Sequence, residues 1–237
     1  MSDYPIAAPG WAAIDTVCSA IHRNTLPHQF TSATAYDLDS ANPLPAICAW
    51  EAQTPVGPQW HYVTYGLSEL FEKNSPVPHI SGFGFELCLR LPRERVAEGV
   101  EQRPPTWPLR MLQGIGGYVM SGHGELDTGH IIDIGGPITG GDPATALEGV
   151  VCVPDPQLAA NGKLEGPFGS VLFLLLVGLC RDEIDSMQGE SWDLVRKVGL
   201  CSELAPGGAT DPARGSWRTD PRRAAAFRRY ELGVLLS

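Results

Sequence analysis

The chain has 237 residues, enough for one large domain or two small ones, and its 43% hydrophobic and 19% charged content is that of a globular protein rather than a disordered one. A formal net charge of -10 argues against direct nucleic-acid binding. The basic cluster Arg214, Arg218, Arg222, Arg223, Arg228 and Arg229 reads as a solvated helix face or tail.

Pro9-Gly10 opens a helical pattern in which Trp11, Ile14, Val17, Cys18 and Ile21 recur at helical spacing. Residues 28–36 read as a strand rich in aromatic and β-branched side chains, broken afterwards by Pro43 and Pro45. Residues 47–51 and 60–65 give two more strands, joined through the turn segment Pro55-Val56-Gly57-Pro58. Residues 82–91 carry the clearest alternation. Phe83, Phe85, Leu87, Leu89 and Leu91 point one way, and Gly84, Glu86, Cys88 and Arg90 point the other.

The charged stretch 92–105 reads as a surface loop or short irregular helix. Thr106 is then the N-cap of a helix with Trp107 and Pro108 in its first turn, and Leu112, Ile115, Tyr118 and Val119 form its apolar face. After a polar loop over 122–129, residues 131–134, 150–153 and 171–179 read as strands. The last is wholly apolar, as a central strand covered on both faces would be, and too short for the ~20 residues of a membrane span. Two short helices, one over 183–187 and one carrying Trp192, Val195 and Val198, precede a turn at Pro206-Gly207-Gly208. A final helical stretch covers 224–232. Strands and helices that mix without strict alternation predict an α+β fold, a mixed β-sheet flanked by helices, in one domain over 1–237.

The six cysteines have no C-x-x-C spacing, and Cys88, Cys152 and Cys180 sit in apolar segments. They are expected to be reduced and structural, and with no visible secretory signal the chain is expected to be cytoplasmic and off the membrane. The richest polar cluster is the loop His123-Gly124-Glu125-Leu126-Asp127-Thr128-Gly129-His130. Two histidines and two carboxylates there offer an alternative reading, a hydrolase-like or metal-dependent enzyme. The loop's Gly, Asp and Thr are also ordinary turn residues, and it lacks a cysteine ligand. No G-x-S-x-G elbow is present, and carboxylates beside Cys180 oppose its activation. The glycines at 82, 84, 114, 116 and 117 read as packing glycines. We therefore expect no catalytic residues, no metal and no cofactor. The aromatic stripe 60–65 could face a partner, but a strand buried on one side is the simpler reading.

Trp60-His61-Tyr62-Val63-Thr64-Tyr65-Gly66-Leu67-Ser68-Glu69-Leu70, Ser81-Gly82-Phe83-Gly84-Phe85-Glu86-Leu87, Pro104-Pro105-Thr106-Trp107-Pro108 and Pro167-Phe168-Gly169 occur in this order. With Pro9-Gly10-Trp11 and Pro154-Asp155-Pro156-Gln157-Leu158, they resemble the N-terminal domain of the Suppressor of fused family, from about Pro9 to Val198. The resemblance implies a non-enzymatic protein-binding domain. In animals the family restrains Gli-type transcription factors, with a second domain helping to clamp an extended peptide by strand addition. The N-terminal domain there uses a tyrosine late in its long helix and an aspartate in the next loop. Tyr118 matches the tyrosine; the aspartate falls near Gly129 and is missing, so Gli binding is not expected. Single-domain members resemble the bacterial branch, which implies an immunity-type neutraliser of a toxin. The expected partner surface is Tyr118 with Glu125, Asp127 and His130.

Overall fold

The computed structural model describes residues 7–22, 25–95, 101–159 and 162–234. Five helices, α1 (Pro9–Ile21), α2 (Trp107–Met120), α3 (Arg181–Met187), α4 (Leu194–Leu204) and α5 (Ala224–Glu231), flank one mixed sheet. Its strands are β1 (His28–Thr31), β2 (Ala46–Thr54), β3 (Gly57–Tyr65), β4 (Ile80–Pro92), β5 (Ile131–Asp133), β6 (Leu147–Pro154), β7 (Lys163–Gly166) and β8 (Gly169–Cys180). The order is β1-β2-β3-β4-β8-β6-β5, with β7 pairing β8 off this path. Among the described strands only the β4–β8 pair is parallel and the other strand pairings are antiparallel; an isolated parallel bridge also joins Arg90 to Ala209. No helix of the described residues is long and apolar enough to cross a membrane.

Alternation of side chains across the strands builds two cores. On one face Phe85, Leu87, Leu89, Leu174 and Leu176 pack with Leu112, Ile115 and Val119 of α2. On the other, Cys88, Phe173, Leu175 and Val177 pack with Ile14 of α1, Leu200 of α4 and Phe227 of α5. Coverage of both faces explains why β8 is apolar throughout. It also explains why the whole aromatic stripe is buried rather than one side of it: Trp60 and Tyr62 enter the first core, Val63 and Tyr65 the second.

Three local expectations change. The first strand stops at Thr31, because 33–36 and 38–40 form turns and Tyr36 takes a left-handed φ of 64°. Gly57 and Pro58 belong to β3, paired with Thr54 and Gln53, so the hairpin turn is only Pro55-Val56. Thr106 holds the N-cap position but makes no side-chain capping bond, and Pro108 leaves one fewer donor to satisfy there. The charged stretch after Pro92 lies partly outside the described residues.

Candidate functional site: a groove beside an edge strand

The α2 residues Trp107, Met111, Ile115 and Tyr118 recur at helical spacing and present one stripe to a cavity of about 830 Å³. The opposite wall is β5 with its flanking residues, from Gly129 to Ile134, and Glu125 and Leu126 close one side. Gly114 lies in the middle of the helical stripe, and a Cβ there would meet nothing within 4 Å. This glycine gives the groove space instead of packing. Its neighbours Gly116 and Gly117 do pack, against Leu44 and Pro43.

Among the described residues strand β5 is the last in the sheet and pairs only with β6. His130 accepts from the Cys152 N–H and the Ile134 N–H donates to Glu148, so the even positions turn toward β6. By the antiparallel alternation, the backbone groups of Ile131 and Asp133 point away from the sheet. An edge of this kind is a template for one more strand.

Tyr118 is 51% exposed. Its ring stacks on His123 at 5.5 Å between centroids, and the loop backbone at Gly124 lies against it. Tyr118, Glu125 and His130 therefore meet at one groove. Asp127 does not line it. Its carboxylate accepts from the Thr128 N–H at 2.6 Å, and its N–H donates to His130 Nδ1 at 3.1 Å. The loop histidines are thus engaged separately, one on Tyr118 and one on the Asp127 backbone, and do not converge with the two carboxylates. Arg110 is an exposed cation at the groove, whereas Asp133 is held by Arg181 at 2.5 Å and Lys197 donates to the Gly129 carbonyl at 2.9 Å. The hydrogen bonds from Arg181 hold the Asp133 carboxyl down at about 2, and burial lowers the Lys197 ammonium.

Among the described residues the side chains with metal-ligand proximity lie elsewhere: His61, Cys88 and Asp155, within 4.8 Å of one another in the core. Their chemistry does not suit a cation. Arg90 already places a guanidinium there, donating to both Asp155 oxygens at 2.9 Å and to Gln157 at 2.7 Å. Burial pushes the Cys88 thiol well up, away from the thiolate that a metal needs. Burial, helped by the Arg90 charge, pulls His61 down to about 4. His61 Nδ1 and His22 Nε2 share a hydrogen bond of 2.8 Å, which needs a lone pair on one ring. His61 Nε2 approaches Asp155 to 3.2 Å without the alignment of a full hydrogen bond. Burial alone would raise Asp155, but the Arg90 guanidinium, donating to both of its oxygens, holds it below the ordinary carboxylate range. This network is structural. Its signal in the sequence is Arg90, a charged residue on the second face of β4, which a strand buried on one side would turn to solvent.

A sequence model described as Suppressor of fused protein matches residues 41–223. The Suppressor of fused homologs of Homo sapiens and Mus musculus are each 30% identical over 204 residues, covering 80% of this chain. The chain spans 40% of the length of those relatives. Among solved structures, a chain of a Sufu–Fu complex superposes with a TM-score of 0.80 at 27% identity, covering 98% of this chain and 99% of that one. Drosophila Suppressor of Fused gives 0.79 at 27% identity, covering 93% of this chain and 54% of that one. A Neisseria gonorrhoeae homolog shares the fold alone, with a TM-score of 0.56 and 14% identity over 87% of this chain and 96% of that one. With three quarters of its length matched by the family's sequence model, the chain belongs to the Suppressor of fused family.

Proposed function

We propose that this domain is a non-enzymatic protein-binding module whose groove between α2 and β5 takes an extended segment of a partner as an added strand. The observation that carries the reading is the conjunction of an unpaired strand edge with an apolar groove of about 830 Å³ alongside it. Backbone groups at Ile131 and Asp133 give an added strand its hydrogen bonds, and the space over Gly114 admits a side chain. That a structural relative was solved as a Sufu–Fu complex supports protein binding as the kind of function.

The finer reading is an immunity-type role in a bacterial cytoplasm. Its support is the net charge of -10, which complements a basic toxin, and the six buried free cysteines, which suit a reducing compartment. The test is a binding titration against the protein encoded by the adjacent gene. Tyr118→Ala is expected to weaken the complex by about 2 kcal/mol, as loss of a central aromatic anchor does. Its thermal melt is expected to stay unchanged, because the ring is half exposed. Unchanged affinity together with a large loss of stability would move the binding site elsewhere.

A further inference from the structure

The motifs at 66–70 and 81–85 build a second groove, of about 470 Å³, that shares no lining residue with the first. Its walls carry Tyr36, Phe71 and Phe83, which are 51%, 43% and 47% exposed. Among the described residues these are three of the four exposed aromatic side chains, the fourth being Tyr118. Single exposed apolar residues are ordinary; aromatic rings gathered round one concavity are not.

The backbone is shaped to present them. Between Ile80 and Phe85 the β4–β8 register shifts, and Phe83 sits in that irregularity between Gly82 and Gly84, both at positive φ. A side chain at Gly82 would come within 2.6 Å of the Leu67 carbonyl, which instead accepts the Phe83 N–H at 2.9 Å. Bulges of this kind re-aim a side chain, here turning Phe83 outward. Two carboxylates fix the remaining walls. Glu86, fully buried, accepts from the N–H groups of Gly66 and Ser68 and from the Ser68 and Thr64 hydroxyls. Glu69 accepts from the N–H groups of Asn74 and Ser75 and from Lys73, closing the loop that carries Phe71. A groove held this way loses little freedom when filled.

Its charge is one-sided. Glu72 lines it, Asp37 and Asp39 follow Tyr36 and are exposed, and none of the lining residues is a cation; Glu69 also lines it, with its charge paired to Lys73. The nearby Lys73 is engaged by Glu69, Ser75 and the Ile80 carbonyl. We propose that this groove docks a partner-protein segment in which an aromatic anchor is flanked by arginine. The anchor packs among Tyr36, Phe71 and Phe83, and the guanidinium meets the acidic rim and the ring faces.

The test uses the whole chain and three labelled peptides of equal length: aromatic with arginine, aromatic with glutamate, and alanine with arginine. Fluorescence anisotropy should show saturable binding of the first only. Phe83→Ser and the rim variant Glu72→Lys should each weaken it about tenfold, with unchanged melts, while Tyr118→Ala has no effect. Four outcomes would overturn the proposal. One is no binding of the aromatic-arginine peptide up to about 1 mM. Another is equal binding of the alanine-arginine peptide, which would reduce the effect to acidic attraction. A third is loss in Tyr118→Ala, which would place the peptide in the β5 groove. The last is a dimer in sedimentation velocity that Phe83→Ser dissociates, which would make a second copy the occupant. Failure here leaves the β5 proposal standing, because that groove is tested by Tyr118 alone.

Discussion

At the scale of single residues, the core of this domain depends on polar groups that satisfy one another. Asp155 is the hub: it binds Arg90 through both oxygens and accepts from the N–H groups of Gln157 and Leu158. Arg90→Met would remove the cation and leave a buried carboxylate uncompensated, at a cost of about 3–5 kcal/mol in urea unfolding. The imidazoles beside it predict a pH dependence. Burial lowers His22 to about 3 and His61 to about 4, from the ordinary 6.5. Both are neutral in the fold and bind protons more readily once unfolded. Their contribution is complete above pH 6.5 and is lost as the pH falls toward 4. With two such groups the limiting slope is about 2.7 kcal/mol per pH unit, and a His22→Gln variant should show about half of it. A flat stability between pH 6.5 and 5 would mean that the rings are not desolvated as the structure has them.

At the scale of elements, helix α2 serves two masters, and its glycines separate them. Gly116 faces Leu44, whose side-chain carbons lie 2.7–2.8 Å from where a Cβ would sit, so Gly116→Ala should overpack and cost about 1–3 kcal/mol. Gly114 faces the open groove, so Gly114→Ala should instead stabilise the helix by about 0.5–1 kcal/mol, and the larger Gly114→Leu should block partner binding. Equal melting shifts for the two alanine variants would contradict this division. The elements also show what the sequence made legible. Helices and strands with strong periodicity, α1, α2, β4 and β8, lie where their patterns put them, and Tyr118, Glu125 and His130 do share a groove. Strand β7 escaped because Lys163-Leu164-Glu165-Gly166 is four residues with one apolar side chain, and it is recognisable only by its pairing with β8. Glu86 and Arg90, on the second face of β4, are buried, because alternation shows that two faces differ, not that the second is wet. Asp127 shares the acidic loop with Glu125, yet its own backbone turn takes its side chain out of the groove, a detail that composition does not encode.

At the scale of the whole molecule, the C-terminal segment decides whether the fold behaves as one unit. The cluster of arginines there reads as solvated, and Arg222 and Arg228 are exposed. Arg214 is not. It enters the core and donates to both Glu183 oxygens, at 2.8 and 2.6 Å, and to the Gly178 carbonyl at 2.5 Å, with its guanidinium 3.8 Å from the Trp217 ring centre. Glu183 also accepts from the Cys180 and Trp217 N–H groups. Upstream, Thr210 takes the Gly178 N–H and its own N–H donates to Arg90, so the segment is tied to both β4 and β8. Trp217 and Phe227 then complete the core on that face of the sheet. A tail bound this way cannot leave without exposing the centre of the sheet, so we propose that residues 1–237 unfold as one cooperative domain. Arg214→Ala should cost about 3–5 kcal/mol, because Glu183 is left buried without its cation. Arg222→Ala, on the surface, should stay within about 0.5 kcal/mol. In both proteins tryptophan fluorescence and far-UV circular dichroism should trace the same urea transition, displaced in Arg214→Ala without a change of slope. A separate early transition, seen by fluorescence and confined to the tail, would show that the C-terminal segment is an independent appendage and not part of the folding unit.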